Sequence, residues 1–283
     1  MSMHEEHLSP VEYAKLSKLI YDVVGIQLGP DRKTMLGARI HRRLKALDLA
    51  NYADYCSYLF GIHGQREEIV HLIDVVTTNK TDFFREPAHF TYLIQKALPE
   101  MIAHNESGRP LLIWSAGCST GEEPYTLAML LSDYAEQHPG FQFRLLATDI
   151  STSVLAKAKK AVFTSQVAAP IPANLRKKYL MRSRNRESDL VRIVPELRRL
   201  VEFRRLNFMD ADYAVKEQAA AIFCRNVLIY FDRQTQERIL AQLTNHLTPR
   251  GYLFVGHSES LHDMRLPLAS VAPALYRKVS SHG

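Results

Sequence analysis

Cysteine is scarce in this chain of 283 residues. Cys56, Cys118 and Cys224 are odd in number and far apart, which excludes a disulfide framework and a cysteine metal knuckle. No apolar run approaches the roughly 20 residues a spanning helix needs, so no membrane insertion is expected. The start, Met1-Ser2-Met3-His4-Glu5-Glu6, is polar and acidic and lacks the basic and apolar regions of a secretory signal. A reduced, cytoplasmic protein is the expectation. There is no P-loop and no H-E-x-x-H spacing, so neither phosphate cradling of that kind nor a zinc site is expected. The histidines read as surface or core residues. Acidic charge is the minority sign: 36 Lys and Arg stand against 30 Asp and Glu, a net charge of +6. That balance points to a negatively charged partner surface, and no nucleic acid is inferred from it.

What is present centres on Trp114-Ser115-Ala116-Gly117-Cys118-Ser119-Thr120-Gly121-Glu122-Glu123-Pro124-Tyr125. The apolar run Leu111 to Trp114 enters it as a buried strand. Two glycines then turn the chain, because glycine tolerates positive φ and lets a ligand approach the backbone. From Tyr125, Leu127, Leu130 and Leu131 recur at helical spacing. Thr120-Gly121-Glu122-Glu123 has the form of a capping box with Thr120 as N-cap and Glu123 reaching back. Strand, glycine turn and helix N-terminus together make a small-ligand site. Two chemistries fit it. Gly117-Cys118-Ser119-Thr120-Gly121 spells the G-x-S-x-G elbow of serine hydrolases. The two glutamates that follow oppose an oxyanion and suit a ligand with hydroxyls and positive charge, such as S-adenosyl methionine (SAM).

The chain divides in order. Leu8-Ser9-Pro10-Val11-Glu12 is a complete helix start, and a helix to about Val24 ends at Gly25. A helix from about Asp31 to Leu47 has Leu36, Ile40, Leu44 and Leu47 on one face. Its other positions carry Arg32, Lys33, Arg39, Arg42, Arg43 and Lys45 with no acid between them. A solvated face usually mixes signs, so an acidic partner surface and a merely solvated face both remain readings. Two further helices, Tyr52 to Leu59 and Glu67 to Val76, complete an all-α unit over residues 1–78. Residues 79–96 form a linker with a dense set of donors at Asn79, Thr81 and Arg85.

Residues 97–283 alternate strand and helix, the pattern of a doubly wound α/β domain. Phe143 to Ile150 is a strand ending in Asp149, and an acid there accepts ribose hydroxyls in nucleotide-binding sheets. Asp149 also has the position of a helix cap. Residues from about 165 to 203 interrupt the alternation, with Arg176, Lys177, Lys178, Arg182, Arg184 and Arg186 crowded together. They read as a small antiparallel insertion whose strands are Leu190–Val194 and Leu200–Phe203. Asn207-Phe208 follows. Ala220 to Phe231 reads as a buried strand with Arg225 and Asn226 in its carboxyl half. Tyr252 to Gly256 is another strand, and Leu275 to Val279 closes the chain as an edge strand.

Four segments carry a resemblance: Thr77 to Glu86, Ser115 to Tyr125, Cys224 to Phe231 and Gly256-His257-Ser258-Glu259-Ser260. They closely resemble the CheR-type chemotaxis receptor methyltransferases, in the same order and across nearly the whole chain. The resemblance implies a class I SAM-dependent methyltransferase, Rossmann-like, with a small all-α N-terminal domain and a small antiparallel β insertion. It implies methylation of glutamate side chains on the cytoplasmic helices of methyl-accepting chemoreceptors. The implied cofactor contacts are Asn79, Thr81, Arg85, Glu122, Asp149, Asn207, Phe208, Arg225 and Asn226. Glu122 is preferred to Glu123 because Glu123 fits the capping box. Arg85 and Tyr230 are candidates to position the substrate, and a packed strand-end aromatic is the other reading of Tyr230. A glutamate carboxylate, with a free pKa near 4.3, needs no dedicated base. Arg39, Arg42 and Arg43 would face the acidic receptor helix. Arg182, Arg184 and Arg186 would belong to an insertion able to grip a receptor tail, although the loop lacks the glycines usual for that mode. A monomer is expected.

Overall fold

Helix starts and stops in the first third of the chain follow local chemistry. A computed structural model of the chain describes residues 7–105, 107–185 and 187–279; the features read at Met1–Glu6 and at Arg186 lie outside them. Ser9 Oγ accepts the Glu12 N–H at 3.2 Å, and the Glu12 carboxylate accepts the Ser9 N–H at 2.8 Å. This box starts α1 (Pro10–Val24), and Gly25 ends it at φ 73°. A short 3-10 turn, Pro30–Arg32, leads into α2 (Lys33–Leu47). α3 (Tyr52–Phe60) and α4 (Ile62–Val76) follow. Leu16, Ile20, Leu36, Ile40, Leu44, Leu59 and Leu72 bury together, in one core with a face of the sheet below.

Arg39 and Arg43, two of the three arginines expected to face an acidic receptor helix, instead turn to groups of this chain. Arg39 Nη1 reaches the carbonyls of Val75, Val76 and Thr77 at 3.2, 2.5 and 3.1 Å, and its Nη2 reaches Thr78 Oγ1 at 3.3 Å. Arg43 forms a bidentate pair with Glu68, both bonds 2.8 Å. Glu68 is 1% exposed and also accepts the Tyr55 hydroxyl at 3.0 Å. Orphan carbonyls at a helix end and a buried carboxylate each demand a donor, and the nearest long cations supply it. Arg42 is exposed.

A continuous helical segment, α5 (Pro87–Tyr92), a π-turn at Leu93–Ala97 and α6 (Leu98–Ala103), leads to the sheet. The remaining elements run β1 (Leu111–Ala116), α7 (Glu122–Gln137), β2 (Phe143–Asp149), α8 (Thr152–Lys160), β3 (Val162–Thr164), α9 (Ser165–Ala168), α10 (Ala173–Tyr179), β4 (Leu180–Arg182) and β5 (Leu190–Ile193). Then come α11 (Pro195–Leu200), β6 (Val201–Arg205), β7 (Ala219–Cys224), α12 (Arg233–Asn245), β8 (Leu247–Val255), β9 (Leu268–Ala272) and β10 (Leu275–Lys278). The main sheet has the order β6-β2-β1-β7-β8-β10-β9. Its first five strands are parallel, and β10 pairs antiparallel with both β8 and β9. β1 is buried on both faces. Leu112, Trp114 and Ala116 join the helical-domain core, whereas Leu111 and Ile113 join a second core with α7 and the segment from Phe90 to Met101. The fold is therefore an all-α unit on a Rossmann-like α/β sheet.

Three strand readings are corrected. Leu200–Phe203 does not belong to the insertion: β6 pairs parallel with β2 at the edge of the main sheet. The small antiparallel sheet is β3-β5-β4 and so begins at Val162. Short strands of equal polarity cannot be assigned to a sheet by pattern alone. Leu275–Lys278 is not the edge, because β9 covers it. The strand from Ala219 stops at Cys224. Arg225 and Asn226 lie beyond it in a turn, with Asn226 at φ 59°.

Candidate functional site

The glycine turn after β1 is held from β2. Gly117 and Cys118 N–H donate to the Thr148 carbonyl at 2.8 and 2.9 Å. Gly117 has φ 88°, and a Cβ there would meet Val227 Cγ2 at 2.5 Å, so glycine is required both for conformation and for approach. Asp149, at the end of β2, clamps the next residues. One oxygen accepts the Ser119 N–H at 2.8 Å, the other the Ser151 N–H at 2.9 Å. Burial pushes its pKa up against the pull of these amides. The Ile150 amide also stabilises the carboxylate, which still keeps a lone pair for a further donor.

The expected capping box is absent. α7 begins at Glu122 with Gly121 as N-cap, at φ 102° and without a side-chain cap bond. Thr120 therefore sits one residue too early, and it donates to the Glu122 carboxylate at 2.7 Å. Glu123 turns inward. It accepts from Ser115 Oγ at 2.7 Å and from Arg225 Nη1 at 3.1 Å. A paired, hydrogen-bonded carboxylate is tolerated in the interior, and burial raises its pKa while Arg225 opposes the rise.

Beside this turn lies a cleft whose empty space, solvent-open part included, is ≈ 960 Å³. Of the residues named from sequence, Asn79, Thr81, Arg85, Asp149, Asn207, Phe208, Arg225, Asn226 and Tyr230 all line it. Glu122 does not; Glu123 does. The preference for Glu122 rested on a cap that does not form. Arg225 is 7% exposed and occupied by protein groups: Glu123, Glu86 Oε2 at 3.1 Å and the Arg85 carbonyl, with its guanidinium over the Phe90 ring at 5.2 Å. Burial favours a neutral Glu86, but Arg225 outweighs it and holds that carboxyl below its ordinary range. Asn207 Nδ2 donates to the Val23 carbonyl at 2.7 Å, tying α1 to the cleft.

Sequence reasoning missed Val24 and Ile26, which also line the cleft. At the end of an amphipathic helix they carry no signal that separates them from core. It also missed Glu259, whose buried carboxylate accepts the N–H groups of Asn226 and Leu228 at 2.8 and 2.7 Å and that of Gly256. Glu259 thereby shapes the turn that presents Asn226, Val227 and Tyr230. Its signal was the Gly256–Ser260 motif, read only as a resemblance.

The serine hydrolase alternative finds no support in the geometry. Ser119 Oγ donates to the Asn79 carbonyl at 2.9 Å, and the Ser119 N–H points at the Asp149 carboxylate. An oxyanion would meet a negative charge there.

Residues 79–273 match the family model described as the SAM binding domain of CheR methyltransferases, and residues 11–77 match that family's all-alpha domain. The chain belongs to the CheR methyltransferase family. It is 36% identical over 270 residues to a chemotaxis protein methyltransferase of Borreliella burgdorferi, covering 94% of each chain. To chemotaxis protein methyltransferase 2 of Pseudomonas aeruginosa it is 36% identical over 274 residues, covering 96% of this chain and 94% of the relative. To the enzyme of Salmonella typhimurium it is 38% identical over 257 residues, covering 91% and 86%. Like the rest of the CheR family, the chain is a methyltransferase with SAM as its methyl donor. Among the described residues, no helix is long and apolar enough to cross a membrane.

The cleft suits that donor. Asp149 offers acceptors for a vicinal diol, Ile150, Phe208 and Val227 offer apolar wall, and Asn79, Thr81 and Asn226 offer polar side chains around it.

Proposed function

We propose that this CheR methyltransferase esterifies glutamate carboxylates of chemoreceptor helices, and that the cleft beside Gly117 and Asp149 holds SAM. One observation carries the site assignment: Arg85 and Tyr230 line the same cleft as Asp149, so a cation and a phenol border the space where the donor's diol would be anchored. When bound, SAM supplies an electrophilic methyl group. Asp149 would accept the ribose hydroxyls, and Asn79, Thr81, Asn207, Phe208 and Asn226 would contact the remainder. Arg225 acts mainly by fixing Glu123, Glu86 and the Arg85 backbone. Arg85 and Tyr230 orient the incoming carboxylate. No general base is required, because free glutamate is ionised above about pH 4.3; positioning and partial exclusion of water suffice.

The receptor would approach over exposed Arg42. A receptor tail would add contacts in the groove of the insertion, lined by Arg176, Lys177, Leu180, Arg182 and Leu190. Such recruitment would place the enzyme at receptor arrays on the cytoplasmic side of the membrane. The test is incubation with methyl-labelled SAM and a receptor cytoplasmic fragment. Label released as methanol by mild alkali identifies a carboxyl methyl ester. Alkali-stable label, or label unaffected by Glu→Ala changes in the fragment, refutes the glutamate assignment.

A further inference from the structure

We propose that Glu86, His89 and His257 form a binding site for one divalent transition-metal ion, beside the methyl-transfer cleft and distinct from it. The residues come from two places. Glu86 immediately precedes α5, and His89 stands three residues on in its first turn. His257 follows β8 and joins them only in the fold. One ligand atom from each of the three lies within 4.8 Å of the others. None of the three lines the cleft.

A second observation concerns His89 itself. It is 3% exposed, and neither ring nitrogen makes a hydrogen bond of ordinary geometry, the backbone of Pro273 offering only a weaker one. Leaving a buried polar group unpaired is costly, and a metal bond would satisfy one nitrogen. Nδ1 lies 3.5 Å from Glu86 Oε2. The ring meets His257 edge-on at 4.9 Å between centroids and Phe254 at 5.8 Å. It therefore has potential ligands to one side and an apolar wall to another. Two imidazoles and one carboxylate are the ligand set of open zinc sites and of facial divalent-metal sites. Metal–ligand bonds of about 2.0–2.2 Å require the three atoms to draw closer than they stand. His257 is exposed, so its ring can turn inward without repacking the core. Charge also permits a cation: Glu86 and Glu123 share the single guanidinium of Arg225, which leaves a net negative charge.

Filling the site would draw Glu86 from Arg225 and loosen the Arg225–Asn226 turn. Metal occupancy and cofactor affinity should then oppose each other.

The test uses untagged, metal-free protein and cobalt(II) chloride alone, followed by visible absorption. One equivalent should produce the d–d bands of a low-coordinate nitrogen and oxygen site, and zinc chloride should bleach them. H257A, a change at an exposed position, should weaken cobalt binding by about 100-fold or more, judged against the 10–100-fold typical of outer-shell changes. E86Q should weaken it too, with far-UV circular dichroism confirming that both variants are folded. Absence of the bands at millimolar cobalt, or bands unchanged in H257A, overturns the proposal. So does a thiolate charge-transfer band, which would put the metal on Cys56, Cys118 or Cys224. Calorimetry with S-adenosyl homocysteine, with and without saturating zinc, reads the coupling separately: unchanged affinity refutes the coupling, whereas the site stands or falls on cobalt alone.

Discussion

Replacing Arg39 with methionine should lower stability and cofactor affinity together. Methionine keeps much of the apolar stem that packs on the helix and removes the donors. The guanidinium covers the last carbonyls of α4, those of Val75, Val76 and Thr77, and reaches Thr78 Oγ1. These carbonyls have no partner within the helix, and they form the negative end of its dipole. Nη1 has two hydrogens for three acceptors, so the contacts are shared rather than summed. A hydrogen bond to a charged group contributes about 1.5–3 kcal/mol, and the partly solvated position of Arg39 reduces that. We therefore expect a loss of about 2 kcal/mol, since one strong bond and part of a second disappear. At about 2–4 °C per kcal/mol for chains approaching this size, the melting temperature should fall by about 4–8 °C. Thr77 and Thr78 also line the cleft, so S-adenosyl homocysteine should bind several-fold more weakly and protect less against melting. Calorimetry and thermal melts with and without that ligand supply both numbers. An R39M variant that melts and binds like wild type, yet methylates receptor slowly, would refute the argument and return Arg39 to the receptor-facing surface.

Arg42→Ala should behave oppositely: unchanged melting and cofactor affinity, with receptor methylation slowed at low salt and less so at high salt, because exposed charge acts on encounter and is screened. Gly117→Ala should cost about 1–3 kcal/mol from its left-handed backbone alone; the contact with Val227 adds to this, and V227A should recover only the contact's share in melting experiments. Asp149→Asn should weaken cofactor binding by about 1.5–3 kcal/mol without unfolding the chain, and unchanged affinity by calorimetry would leave Asp149 as a clamp of the Ser119 and Ser151 amides only. On acidification, cofactor affinity should fall before stability does. Burial raises the folded pKa of Asp149 and Glu123, so these groups protonate early and protonation relieves their burial. Glu86 is depressed from 4.5 by Arg225 against the opposing effect of burial, so its stabilisation is present above 4.5 and lost only as pH falls through its lower folded value. Melting temperature and affinity declining in step on acidification would count against this assignment.

Much of the architecture was legible in the sequence because its determinants are local. The Ser9–Glu12 box and the buried β1 run formed as read, since each depends on residues within a turn or two of one another. The glycine turn and the strand-end Asp149 were readable for the same reason: backbone conformation there is written in the residue types. Tertiary structure decided the rest. Periodicity marks the apolar face of α2, but it does not say that Glu68 and the end of α4 would claim Arg43 and Arg39. Two adjacent glutamates look alike until Arg225, about a hundred residues on, selects Glu123 as its partner. Short strands of similar composition were assigned to sheets only by pairing, which moved β6 into the main sheet and placed β9 outside β10. The same holds for Val24 and Ile26 in the cleft, and for Glu86, His89 and His257 in one cluster. Long polar side chains find partners through space, at distances along the chain that no local pattern records.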